Sequence, residues 1–169
     1  MRPTLVPLAA VAALALAAAC TTGGTVTPVA TGAPAPAPAP ALAVAPVAGG
    51  DAALLALVND FRAAQGRPPL SSDAALAAAA RAHAQDMVSA GFFSHTGSNG
   101  STVGTRLRAA GCDWSGAAEN IAQGQTSPEE AMTTWINSAG HRANLLGNYT
   151  ELGTARIGAT WVMVFAAGC

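Results

Sequence analysis

The feature that most constrains this chain is a compositional break at Asp51. Residues 1–50 carry one charged side chain, Arg2, and consist almost wholly of Ala, Pro, Val, Leu, Thr and Gly. Every other charged residue lies from Asp51 onward, so only the later part has the polar surface that a soluble core needs. One domain spanning residues 51–169 is expected, because domains cluster near ~100–150 residues. The chain's 8 basic residues are all Arg, and leaving out Arg2 against the 9 acidic ones gives residues 51–169 a formal charge of −2. Nucleic-acid modules recover binding energy from clustered basic side chains, and no such cluster occurs here, so a nucleic-acid partner is excluded.

The first fifty residues divide again. After Arg2, residues 5–19 form an apolar run with the charged start and short apolar middle of a signal peptide. A membrane span needs roughly 20 apolar residues, and Pro7 shortens the usable stretch, so cleavage is expected in preference to insertion. The run ends in Leu16-Ala17-Ala18-Ala19-Cys20, which resembles the lipobox of bacterial lipoproteins, although Ala17 stands where Leu is usual. Residues 1–19 are therefore read as a lipoprotein signal peptide and Cys20 as the lipidated residue that joins the protein to a membrane. Ordinary secretion with an incidental Cys20 is the alternative.

Residues 20–50 follow as the lipidated Cys and an Ala/Pro-rich linker, read as an extended polyproline II tether. With Cys20 lipidated, Cys112 and Cys169 are left to pair in an oxidising compartment, and two free thiols are the alternative. The expected location is extracytoplasmic, on the cell membrane or an outer membrane, with a periplasmic or surface-exposed domain that is a monomer.

Within residues 51–169 the periodicities place several elements. Leu54, Leu57, Val58 and Phe61 recur at helical spacing over Ala52–Ala64, ahead of Gly66, Pro68 and Pro69. Ser72 or Asp73 caps a second helix whose inner face is expected to carry Leu76, Ala80, His83, Met87 and Ala90, with Gly91 ending it. A turn-rich loop over 92–100, a short helix over 103–110 and a segment of unassigned form over 112–122 come next. Ser127, Pro128 and Glu130 start a helix expected to run through Ser138. Glu151–Ile157 and 160–165 read as a hairpin around Gly158. Helices followed by a late sheet make an α+β domain.

His83 lies on the apolar helical face and is read as a packed histidine. His95 and His141 lie in or beside turn-rich segments, where scaffolded loops carry function. The ordered motifs Phe92-Phe93-Ser94-His95-Thr96, Glu119-Asn120-Ile121-Ala122 and Trp135-Ile136-Asn137-Ser138-Ala139-Gly140-His141-Arg142-Ala143-Asn144, continuing through Tyr149-Thr150-Glu151-Leu152-Gly153 to Trp161–Phe165, resemble bacterial members of the CAP (SCP) superfamily. That superfamily groups cysteine-rich secretory, antigen 5 and pathogenesis-related 1 proteins.

The resemblance implies a three-layer α-β-α sandwich with a central antiparallel sheet, and a cleft lined by two His and two acidic residues. Its motif matches place His95, Glu119 and His141 in that cleft. The fourth acidic position is occupied by Ser138, with Glu151 as a neighbouring candidate. Two imidazoles and a carboxylate are a reasonable set for zinc or another divalent cation. The expected function is a binding or regulatory module recognising a lipid, a cell-wall component or an envelope protein. A metal-assisted, peptidase-like hydrolase is the alternative, without the His-Glu-x-x-His or Gly-x-Ser-x-Gly motifs that would mark one.

Overall fold

The computed structural model describes residues 51–169. The expected signal peptide, the lipidation expected at Cys20 and the expected linker fall on residues outside the described ones. The domain runs α1 (Ala52–Ala64), β1 (Ser71–Ser72), α2 (Ala74–Ala90), α3 (Val103–Ala109), β2 (Gly116–Gln123), α4 (Pro128–Ile136), α5 (Ala139–Leu145), β3 (Glu151–Ile157) and β4 (Thr160–Ala167). The strands form one sheet in the order β1-β3-β4-β2.

The helix starts follow from side chains that satisfy otherwise unpaired amides. Asp51 accepts from the amides of Ala53 and Leu54 at 3.0 and 3.3 Å. Asp73, not Ser72, caps α2, accepting from Leu76 at 2.9 Å. Ser127 caps α4, and Glu130 turns back to accept from the Thr126 amide at 2.7 Å. Gly91 closes α2 in the left-handed region at φ 69°, a conformation that costs glycine nothing. Ala90, expected on the inner face of α2, is exposed, because the last turn runs past the edge of the core.

Helices cover both faces of the sheet. Alternation along β4 shows this directly, since Trp161, Met163 and Phe165 join Leu54, Val58, Met132, Trp135 and Leu145 from α1, α4 and α5. Val162, Val164 and Ala166 point the other way, into Leu76, Ala80, Met87 and Leu107 from α2 and α3. The result is the expected α-β-α sandwich. The antiparallel expectation needs one amendment, as β1 pairs with β3 in parallel over two residues. Chain entering from the α1 side reaches that edge from Arg67, Pro68 and Pro69, and Pro has no amide to extend the ladder.

Two further readings change. The helix expected through Ser138 stops at Ile136, and Ser138, extended at φ −102° and ψ 121°, begins the separate helix α5. The unassigned segment over 112–122 becomes β2, paired with β4 along its full length. β2 is the sheet's second outer strand, and side chains from α4 and α5 bond two of its carbonyls. Trp135 Nε1 donates to the Ile121 carbonyl at 3.1 Å, and Asn144 Nδ2 to that of Glu119 at 3.4 Å. Cys112 and Cys169 are disulfide-bonded, with Cα atoms 4.8 Å apart, tying the end of β4 to the turn after α3.

Candidate functional site

The site forms at the β2 edge, where three loops and helices converge on one carboxylate. Glu119 sits mid-strand on the α2/α3 side of β2, and its side chain is 2% exposed. A carboxylate that deep needs partners for both oxygens. Oε1 accepts from His95 Nδ1 at 2.9 Å. Oε2 accepts from Arg106 Nη2 at 2.7 Å. The same Arg106 nitrogen donates to the His95 backbone carbonyl at 3.1 Å, and Nη1 donates to Ser101 O at 3.0 Å. Arg106 thus holds together the loop that carries His95 and the strand that carries Glu119.

This arrangement fixes the proton on His95. A carboxylate only accepts, so Nδ1 carries the hydrogen and neutral His95 keeps a lone pair on Nε2. Its side chain is 56% exposed, so the imidazole is reachable from solvent.

His141, on the first turn of α5, reaches the same region from the opposite layer. It is held by its backbone, because Asn120 Nδ2 donates to His141 O at 3.1 Å and Asn144 Nδ2 donates to Asn120 Oδ1 at 2.9 Å. Its Nδ1 is buried with no hydrogen-bond partner. Burial holds the His141 pKa below the ordinary histidine value, and His95, whenever it is protonated, lowers it further. The imidazole is therefore neutral at pH 7.

His83 keeps the packed role read from its helical face. Its side chain is fully buried and Nε2 bonds the Ser94 carbonyl at 2.9 Å. It also lies 3.7 Å from Glu119 Oε1, making it the floor of the site. Burial lowers its pKa, with the Glu119 charge opposing in part. In the same turn the Ser94 hydroxyl accepts from the Thr96 amide at 3.1 Å.

The fourth member of the cluster is Arg106, a cation that the sequence reading did not single out. The signal for it was indirect: a buried carboxylate demands a cation, and α3 places Arg106 and Arg108 just before β2 in the chain. Glu151 is remote from this cluster. β4 separates its strand from β2, and the register sets Glu151 level with Ala117, while its carboxylate accepts from Thr150 Oγ1 at 2.7 Å. Ser138 makes no side-chain cap bond to α5. Among the described residues no group of three or more His, Cys, Asp or Glu is arranged to hold a metal.

Residues 55–165 match the cysteine-rich secretory protein family, CAP. The chain belongs to the CAP family. The uncharacterized Bacillus subtilis protein YkwD is 38% identical over 112 residues, covering 64% of this chain and 44% of YkwD. The uncharacterized membrane protein YlbC of the same bacterium is 36% identical over 101 residues, 59% of this chain and 29% of YlbC. The chain thus spans less than half the length of these curated CAP relatives. Among solved structures, an extracellular SCP-domain protein of Bacillus anthracis aligns with TM-score 0.67 and 32% identity, over 68% of this chain and 39% of that one. An outer surface protein of Borrelia burgdorferi shares the fold, with TM-score 0.65 and 20% identity over 69% and 91% of the two chains. Among the described residues no helix is long and apolar enough to cross a membrane.

Proposed function

We propose that this CAP domain is a binding module displayed on the cell envelope through lipidated Cys20, and that its recognition groups are His95 and His141. The observation that carries the reading is the burial of Glu119, 2% exposed, with a protein donor on each of its oxygens. A catalytic base must lie within reach of the substrate, and this carboxylate is shielded from solvent and hydrogen-bonded to His95 and Arg106 at 2.9 and 2.7 Å. The carboxylate therefore orients His95 instead of reacting. What it leaves exposed is an acceptor, the Nε2 lone pair, suited to a hydroxyl or amine hydrogen of a lipid, a cell-wall component or an envelope protein.

The same lone pair suits a divalent ion. Metal-binding imidazoles commonly donate their other ring hydrogen to a carboxylate, as His95 does to Glu119, and the unpartnered buried Nδ1 of His141 supplies a second orphaned nitrogen. A zinc-like ion would be held by His95 and His141, and would supply open positions for a ligand oxygen or nitrogen. Glu119 fits the outer role, not the place of a third ligand.

Calorimetric titration of the domain with zinc tests the assignment. Wild type is expected to bind one ion reversibly, and His95→Ala and His141→Ala each to lose binding by at least ~10-fold. Equal binding by all three proteins contradicts the metal assignment. The display on a membrane is tested by feeding cells a radioactive fatty acid: label in wild type and none in Cys20→Ala is expected, and label that persists in the variant refutes the anchor.

A further inference from the structure

Arg62, on the last turn of α1, is a fully buried cation that takes no part in the cleft around Glu119. Its guanidinium stays charged and carries five N–H groups, of which three are taken. Nε donates to Pro68 O at 2.8 Å, and Nη1 donates to Leu145 O at 2.7 Å and Gly147 O at 3.1 Å. Nη2 is buried with no hydrogen-bond partner, so both of its hydrogens are left over. The three acceptors are neutral carbonyls, two of them at or just past the C-terminal end of α5, which favour a cation without cancelling its charge.

Arg67 stands beside it. Its amide donates to Arg62 O at 2.8 Å, and its Nη2 donates to Asn148 Oδ1, so the two guanidiniums grip the adjacent residues Gly147 and Asn148 of the turn between α5 and β3. Nε of Arg67 is also buried and unpartnered. Burial lowers the Arg62 pKa, and the positive charge of Arg67 lowers it further. Two like charges held in this way call for an anion, because a buried charge is costly unless it is paired. The chain does not supply one. Among the described residues the ion pairs all end on Glu119, and residues 1–50 contain no Asp or Glu.

We propose that Arg62 and Arg67 form a phosphate-binding site where α1 meets the α5–β3 turn, with Arg62 Nη2 and Arg67 Nε donating to the phosphate oxygens. The way in runs past Arg67, which is half-buried and bonded to the exposed Asn148. A charged oxygen accepts more strongly than an amide oxygen, so phosphate displaces Asn148 from Arg67 Nη2 and reaches the Arg62 hydrogens behind it. The planar guanidinium fork matches phosphate geometry, and two permanent cations match the nearly double charge of a phosphate or its monoester better than the single charge of a carboxylate. The phosphate comes as the free ion or as a monoester on a lipid headgroup. Because the site uses none of His95, Glu119 and His141, it stands apart from the proposed role of the cleft.

The test uses full-length protein at constant ionic strength, so that general screening is the same throughout, with sodium phosphate as the probe and sodium acetate as the control. Wild type is expected to bind phosphate at least ~10-fold more tightly than acetate by calorimetry, and Arg67→Gln to weaken phosphate binding by at least ~10-fold. Arg108→Gln, on the exposed side of α3, is expected to bind as wild type does. Arg62→Gln is expected to lose binding. If that variant does not fold, nitrogen-15 spectra of the wild-type guanidinium groups take its place: phosphate is expected to shift the Arg62 and Arg67 signals and leave those of Arg108 and Arg156 unmoved. Vesicles containing phosphatidic acid separate the two sources. Capture that Arg67→Gln abolishes assigns the phosphate to a lipid headgroup, and phosphate binding without vesicle capture assigns it to the free ion. No phosphate binding by wild type, equal binding by Arg67→Gln, or shifts spread over all the arginines overturns the proposal and leaves Arg62 a clamp on the end of α5.

Discussion

At the scale of single residues, the site is governed by how one buried carboxylate is shared. Removing Arg106 leaves Glu119 desolvated with no permanent cation, and breaking a buried pair from one side costs about 3–5 kcal/mol. Chemical denaturation of Arg106→Leu is therefore expected to show that loss, whereas Arg108→Leu, on an exposed turn of α3 over the Trp114 ring, should lose about 1 kcal/mol or less. The histidines add a pH dependence. His83 and His141 both have folded pKa values below the ordinary 6.5, so above that value both states are neutral and the domain keeps its full stability. As pH falls below about 6.5 the unfolded chain takes up protons that the folded one refuses, and stability declines until the depressed folded pKa values are reached. Melting temperature should fall between pH 7.5 and 5.5, and fall less in His83→Gln; an equal decline in that variant would show that His83 does not contribute. Of these residues, His95, Glu119 and His141 were legible in the sequence because each sits in its own ordered motif. Arg106 was not, because its significance depends on a partner 13 residues away on a strand whose existence the sequence did not announce.

At the scale of elements, legibility followed local signals. The bounds of α1 are legible because Leu54, Leu57, Val58 and Phe61 keep helical spacing and Gly66, Pro68 and Pro69 stop it. β2 could not, since Gly, Ala, Glu and Asn have little strand preference and the segment is extended by pairing with β4. The division between α4 and α5 is not legible because no Gly or Pro breaks the chain between Trp135 and Ala139, although Ser138 is a natural cap. That division matters functionally, for it lets α5 turn His141 toward the β2 edge. The Asn120–Asn144 bond holds α5 there, and Asn144→Ala is expected to cost ~1–3 kcal/mol by leaving Asn120 Oδ1 unpaired, and to weaken zinc binding through displacement of His141. A variant that loses stability with unchanged zinc affinity would separate the clamp from the site. The packing of α2 on β3 is closer still: a Cβ on Gly153 would lie 2.2 Å from the backbone of Leu76 and Ala77. Gly153→Ala should cost about 3 kcal/mol or more, measured by denaturant midpoint, because backbone cannot yield as a side chain can.

At the scale of the whole molecule, the sandwich places its cleft at an outer strand covered from both helical layers. Loop 92–102 and α3 approach from one layer and α5 from the other, so His95 and His141 come from separate segments of the chain. The Cys112–Cys169 bridge closes a loop with a separation of 57 residues that contains β2, α4, α5, β3 and β4. In the chain-entropy limit such a loop is worth about 4 kcal/mol, so reduction should lower the denaturant midpoint well before it alters the cleft. The central claim is that Glu119 serves His95 and does not itself face the ligand. Nitrogen-15 spectra of the imidazoles at neutral pH test it most directly. His95 is expected to carry its hydrogen on Nδ1 with Nε2 bare, and zinc is expected to shift His95 and His141 while leaving His83 unmoved. A hydrogen on Nε2 of neutral His95, or a zinc response confined to His83, would contradict the account.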